Sequence, residues 1–199
     1  MRLRPLGFAA IAMVAMGIAF VATPAQAAEK PRHCVANASD ANAPIRCYDS
    51  FTTAIAKATG GRVTDAPDNA RAALKDARLA AQLNATSTKQ VAATIAPQDR
   101  ASLAANIVVS IEYWDSGFGG STYTWTAPWG CTGTTSDTDW EAATLQSNWN
   151  DEIGSYRGYA NCWVKHFEHI YFSGISTAYD GGLADMGWMD DETSSIRWS

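Results

Sequence analysis

Two stretches of this sequence repeat one spacing. Tyr113-Trp114-Asp115-Ser116-Gly117-Phe118-Gly119-Gly120-Ser121 sets out an aromatic, four residues, a second aromatic, one residue and a glycine. Phe167-Glu168-His169-Ile170-Tyr171-Phe172-Ser173-Gly174 sets out the same pattern. The spacing suits a folded hairpin whose aromatics close over the core and whose glycine takes a positive φ that a Cβ would oppose. A second shared element follows each stretch. After the first comes Asn150-Asp151-Glu152-Ile153-Gly154-Ser155, and after the second Asp190-Asp191-Glu192-Thr193-Ser194-Ser195. Both have two Asn/Asp positions, two spacers and a small or hydroxylic pair. Four elements in alternating order predict an internally repeated domain.

The chain around the repeat changes character sharply. All eight tryptophans and 11 of the 15 glycines lie from Trp114 onward, whereas residues 28–106 are alanine-rich and hold no tryptophan. A boundary is therefore expected near residue 106. Beyond it, Ile107, Val109, Ile111 and Tyr113 alternate with Val108, Ser110 and Glu112, the period of a half-buried strand. Short apolar runs then recur between Gly, Asp, Asn and Ser clusters, as in a sandwich of short antiparallel strands. Before the boundary the pattern is helical. Asp49 can cap a helix that puts Phe51, Ala54, Ile55 and Ala58 on one face, and Gly60-Gly61 can stop it. A second helix is expected from Pro67-Asp68, carrying Leu74, Leu79 and Leu83. Residues 84–105 give no firm assignment. The expected outcome for 28–106 is a small, mostly helical cap or stalk.

The first residues read as an address. Arg2 and Arg4 precede an uncharged apolar run from Leu6 to Ala22, and Ala25-Gln26-Ala27 follows. That is the order of a secretory signal peptide over residues 1–27, cleaved after Ala27. The run is shorter than the ~20 residues a membrane-spanning helix needs. Residues 1–27 carry two of the 15 basic groups and none of the 20 acidic ones, so cleavage makes an already acidic chain more acidic. Nucleic acid is an unsuitable partner for such a chain. A secreted protein, free of the membrane after cleavage and monomeric, is expected.

Export sets how the cysteines are read. Cys34, Cys47, Cys131 and Cys162 form an even set in an oxidising compartment, so two disulfides are expected. Three pairings are open. The composition shift favours Cys34–Cys47 and Cys131–Cys162, one in each half.

The ordered repeat of hairpin and acidic loop resembles the βγ-crystallin superfamily, over about Ile107 to Ser199. Secreted bacterial members include calcium-binding domains and the Streptomyces metalloproteinase-inhibitor family. The resemblance implies a mainly β fold in which two Greek-key motifs form one sandwich, here preceded by the short helical region. It also implies a calcium site. Calcium takes six to eight oxygens from carboxylates, carbonyls, hydroxyls and water, which paired acidic loops can offer. By position in the family pattern, Asp151 and Asp191 supply carboxylates, Glu152 and Glu192 backbone carbonyls, and Ser194 a hydroxyl. Trp114 and Glu168 supply the hairpin carbonyls. The first loop departs from the pattern at Gly154, where the family places Ser or Thr. That side is expected to be the poorer one, improved by Gly154→Ser.

Other chemistry finds less support. His166 and His169 flank Glu168 without the HExxH spacing of a zinc site, and strand positions i and i+3 face opposite ways. No nucleophile elbow, P-loop or dinucleotide fingerprint occurs, so no enzyme activity is expected. Trp149, Trp163, Trp188 and Trp198 abut the motif positions and are expected to fill core, whereas Trp125, Trp129 and Trp140 are freer. Two alternatives to calcium binding follow: an inhibitor of an extracellular metalloprotease acting near Cys162-Trp163, and a carbohydrate or cell-wall binding module using the freer tryptophans.

Overall fold

A computed structural model describes residues 30–85, 107–146 and 148–199. The expected leader at 1–27 and most of the unassigned stretch at 84–105 lie outside them. Among the described residues the fold is mainly β, in two sheets, with three short α-helices.

Ten strands follow in chain order: β1 (His33–Asn37), β2 (Arg46–Tyr48), β3 (Ile107–Asp115), β4 (Gly119–Ala127), β5 (Trp140–Ala142), β6 (Ser155–Gly158), β7 (Val164–His169), β8 (Ser173–Ser176), β9 (Gly182–Leu183) and β10 (Ser195–Trp198). The first sheet runs β2-β1-β4-β3-β6-β9 and the second β5-β10-β7-β8. Each repeat therefore follows one path. Hairpin β3–β4 sends β5 to the other sheet, and β6 returns beside β3. Hairpin β7–β8 sends β9 across, and β10 returns beside β7. These are two Greek keys, each lending its third strand to the sheet of the other.

The sandwich core lies between the sheets. Tyr123, Trp125, Trp149, Tyr156, Ile196 and Trp198 are among its buried members. The other face of the first sheet is buried as well. Val108, Ile111, Tyr113 and Tyr159 pack there against Phe51, Ile55, Leu79 and Leu83 of the helical layer. Strand β3 is thus covered on both faces rather than half-buried. A bulge between Val108 and Ser110 turns Val109 towards the sandwich, away from Ile111 and Tyr113. Ser110 and Glu112, the polar positions of the alternation, are fully buried too.

Residues before 106 differ in part from the mostly helical expectation. Strands β1 and β2 form an antiparallel hairpin with Cys34 opposite Cys47, and the two are bridged. Strand β1 then pairs with β4 in parallel, from His33↔Thr122 to Asn37↔Thr126. The alanine-rich composition hid this, because the free edge of β4 supplies the ladder and a five-residue strand needs little propensity of its own.

The helices are α1 (Phe51–Ala58), α2 (Ala70–Ala73) and α3 (Ala77–Asn84). Ser50, not Asp49, caps α1 by accepting from the Thr53 amide, and Phe51, Ala54, Ile55 and Ala58 are its buried face. Gly60 and Gly61 leave it at positive φ, as expected. The single helix expected after Pro67 is two, because Asp76 accepts from the amides of Arg78 and Leu79 and starts a new one. The second bridge is Cys131–Cys162. Both pairings agree with the sequence reading.

Candidate functional site

Each folded hairpin is closed in the same way. Tyr113 meets Phe118 edge-to-face at 5.4 Å, and Phe167 meets Phe172 at 5.7 Å. The residues before the glycine bend backward: Gly117 and Phe118 in one hairpin, Tyr171 and Phe172 in the other, all have φ between 56° and 68°. Gly120 and Gly174 then take φ of 73° and 78°. The backbone of Gly174 favours glycine, and a Cβ there would also crowd Glu168 Cβ at 3.0 Å.

The last serine of each acidic loop locks its own hairpin. Ser155 Oγ donates to the Asp115 carbonyl at 2.7 Å and accepts from the Phe118 amide at 2.9 Å. Ser195 Oγ donates to the His169 carbonyl at 2.7 Å and accepts from the Phe172 amide at 3.0 Å. The loops also lie side by side and exchange bonds. The Asp151 amide donates to the Thr193 carbonyl at 3.0 Å, and the equivalent Asp191 amide donates to the Ile153 carbonyl at 3.3 Å. Both aspartates sit in the left-handed region, at φ 59° and 57°, where Asp is among the tolerated residues.

Five of the expected ligand residues, Asp151, Glu152, Asp191, Glu192 and Ser194, therefore lie on two adjoining loops. Trp114 and Glu168 lie on the hairpins those loops lock. Ser194 is buried, and its hydroxyl donates across the loops to Asp151 Oδ1 at 3.1 Å. Asn150 Nδ2 donates to Asp151 Oδ2 at 2.6 Å. Among the described residues, no Lys or Arg forms an ion pair with Asp151, Glu152, Asp190, Asp191 or Glu192. Burial, then the charges of Asp190 and Asp115, hold the Asp191 carboxyl above the usual carboxylate range. Burial, then Asp191 and Asp151, do the same to Glu152. Among the described residues, no three His, Cys, Asp or Glu side chains are gathered into a metal cage. An ion at these loops would complete its shell with hydroxyl, carbonyl and water oxygens, the hard donors calcium accepts.

The loops differ at Gly154. A Cβ there would stand 2.7 Å from Asp190 Oδ1, 2.7 Å from the Ser116 nitrogen and 2.8 Å from the Asp115 carbonyl carbon. Gly154→Ser does not simply restore a missing hydroxyl, because the hairpin backbone occupies its approach. Asp115 and Asp190 belong to the repeated motifs but were not among the expected ligands.

A second polar group was also missed. Glu112 and His166 directly precede the first aromatic of each repeat, and their side chains meet inside the sandwich, Oε2 to Nε2, at 3.2 Å. Ser110 donates to Glu112 Oε1 at 2.5 Å and accepts from Trp198 Nε1 at 2.9 Å. His169 is exposed on the hairpin.

The tryptophans sort differently from expectation. Trp149 and Trp198 fill core, but Trp163 and Trp188 are 42% and 59% exposed. Trp125 is buried against Tyr123 and Trp198. Trp129 and Trp140 lie against each other, half-buried, with Trp140 Nε1 donating to the Trp129 carbonyl. No open platform is formed by those three.

No protein-family model matches the sequence, and no curated protein matches it. Among solved structures, the chain is similar to a βγ-crystallin domain from Clostridium beijerinckii, at 18% identity over 45% of this chain and 95% of that one, with a TM-score of 0.35. It is similar to one from Flavobacterium johnsoniae at 21% identity, over 46% and 93%, with a TM-score of 0.34. It is likewise similar to the βγ-crystallin of Ciona intestinalis at 24% identity, over 45% and 98%, with a TM-score of 0.33.

Proposed function

We propose that this chain is an exported protein whose βγ-crystallin-type sandwich binds calcium at the paired acidic loops, and that the ion acts structurally. The observation that carries the reading is the crossed pair itself: Asp151 and Asp191 in matching left-handed conformations, each loop bonded to the carbonyl of the other, with Ser194 reaching over to Asp151. The raised carboxyls of Asp191 and Glu152 support it, because converging negative charge is relieved by a divalent cation. Asp151, Asp191 and Ser194 offer side-chain oxygens, and Glu152, Glu192, Trp114 and Glu168 main-chain carbonyls, to one or two ions shared between the loops. Calcium supplies two positive charges that tie one loop to the other. Stabilisation then follows by linkage, about 2.7 kcal/mol at a hundredfold excess over the dissociation constant. The test is thermal unfolding of the chain from Ala28 onward. Calcium should raise the midpoint and chelator should return it; an unchanged midpoint counts against the reading.

One observation favours a second reading, inhibition of an extracellular metalloprotease. Trp163 is exposed, follows the bridged Cys162, and exchanges two backbone bonds with Ser199, at 2.8 and 3.0 Å. A bulky side chain on so fixed a segment enters a pocket with little ordering cost. Inhibition of a thermolysin-like enzyme that is lost in Trp163→Ala would establish it. No inhibition at large molar excess removes it.

A further inference from the structure

The sandwich is open along one side. There β1 of the first sheet and β5, an edge strand of the second, belong to separate ladders, and a cleft of about 140 Å³ enters between them. Small side chains on both strands, Ala36 and Ala142, leave the space unfilled. Tyr123 and Trp125 of β4 line it as well. These two residues are 0% and 5% exposed, yet neither Tyr123 Oη nor Trp125 Nε1 has a hydrogen-bond partner among the described residues. An unmet buried donor costs stability, so two among the lining residues call for an oxygen that accepts from them. Nearer the mouth, Asn37 Nδ2, Asp40 Oδ2 and the Gln146 side-chain amide also take no partner among the described residues.

We propose that this cleft is a binding site for one neutral sugar ring, free or at the end of a longer saccharide. Charge and donor chemistry decide the class of ligand. Asp40 and Glu141 line the cleft and no Lys or Arg does, so an anion is unfavourable there. An ammonium carries donors only and cannot accept from Trp125 Nε1, which is itself only a donor. A hydroxyl does both, accepting from Trp125 and Tyr123 and donating to Asp40. The apolar faces of the ring suit the alanine and aromatic walls. Size limits the occupant to one ring, since drug-sized ligands need roughly 300–1,000 Å³. Entry requires an opening, because neither orphan atom meets solvent. The loop between β1 and β2 can supply it. Ala38 holds that loop to β4, its amide on the Thr126 carbonyl at 2.8 Å. From Ser39 to Pro44, hydrogen bonds among the described residues stay within residues 37–43, so the loop opens without breaking one to the sandwich. The site is separate from the acidic loops and does not rest on the calcium reading.

The competing occupant is a trapped water that meets the orphan donors. Tyr123→Phe separates the two, since it removes the hydroxyl and keeps the ring. The test follows the assigned Trp125 Nε1–H signal of the chain from Ala28 onward by NMR. Glucose, galactose, mannose, xylose and N-acetylglucosamine are added in turn. At least one sugar should move the signal saturably. Tyr123→Phe should weaken that sugar roughly threefold to tenfold, because one hydrogen bond is lost. Without sugar its melting midpoint should be no lower than wild type, because no bond of the folded chain is removed. Gln146→Ala, at the exposed mouth, should weaken the same sugar. If no sugar moves the signal, or both variants bind like wild type, the assignment is wrong. A lowered midpoint of Tyr123→Phe with unchanged sugar affinity identifies the trapped water instead, and the assignment falls. None of these outcomes bears on calcium binding.

Discussion

Glu112 and His166 hold equivalent places in the two repeats and meet across the sandwich at 3.2 Å, both fully buried. Glu112 comes from the first sheet and His166 from the second, so the contact joins the two Greek keys at their centre. Trp198, through Ser110, joins β10 to the same group.

Breaking that contact from one side should be costly. Glu112→Leu or His166→Leu leaves a buried polar partner unpaired, at a cost of about 1–3 kcal/mol. Replacing both with apolar residues of similar volume should recover most of the loss. Urea unfolding of the two single variants and the double variant checks this; additive losses would show that the two residues do not act as a pair.

Glu112 also shows where the sequence stopped being legible. The spacing of the hairpins and acidic loops is enough to place β3–β4, β7–β8 and the loops that lock them, because each element depends on local geometry: a glycine at positive φ, a serine under a turn. Which way β3 faces is not local. Ile111 and Tyr113 look like core residues of the sandwich, yet they serve the helical layer, and the bulge near Val109 is invisible in the alternation. Strand β1 was hidden for a similar reason, since its ladder partner, β4, lies some ninety residues away. At the site, Asp151, Asp191 and Ser194 could be named from the pattern. The place of Asp190 could not, because it depends on the space Gly154 leaves on the opposite loop.

Gly154 should resist enlargement. Gly154→Ser and Gly154→Ala both push a Cβ into the Asp115–Ser116 backbone and should each cost about 1–3 kcal/mol. Chemical denaturation of the metal-free variants reads the loss. A serine variant as stable as wild type would mean that the hairpin yields freely and the missing hydroxyl can be restored.

The Cys131–Cys162 bridge closes a sequence separation of 31 residues. In the chain-entropy model its removal costs roughly 3–4 kcal/mol. Cys131→Ala/Cys162→Ala should show this as a lowered urea midpoint. Peptide mapping without reductant should recover Cys34 with Cys47 and Cys131 with Cys162.

The acidic loops should leave a signature in pH. A carboxyl raised in the fold binds its proton more readily there than in the unfolded chain, so its contribution to stability falls as pH climbs through the carboxylate range and just above it. Metal-free Asp191→Asn should therefore melt above wild type at neutral pH, by about 2–4 °C at most. The gap should close at acid pH, where Asp191 is protonated in both states. Asp65 and Asp68, whose carboxyls are lowered by hydrogen bonds from Arg78 and from Ser50 and Thr52, work in the opposite sense. They are common to both proteins and cancel in the difference.

The most direct test of the central claim is equilibrium dialysis of the metal-stripped chain from Ala28 onward against labelled calcium, beside the Asp151→Ala/Asp191→Ala double variant. The account predicts one or two ions retained per wild-type chain and none by the variant, with both proteins folded by circular dichroism. Retention of no calcium by wild type, or equal retention by the variant, would contradict it.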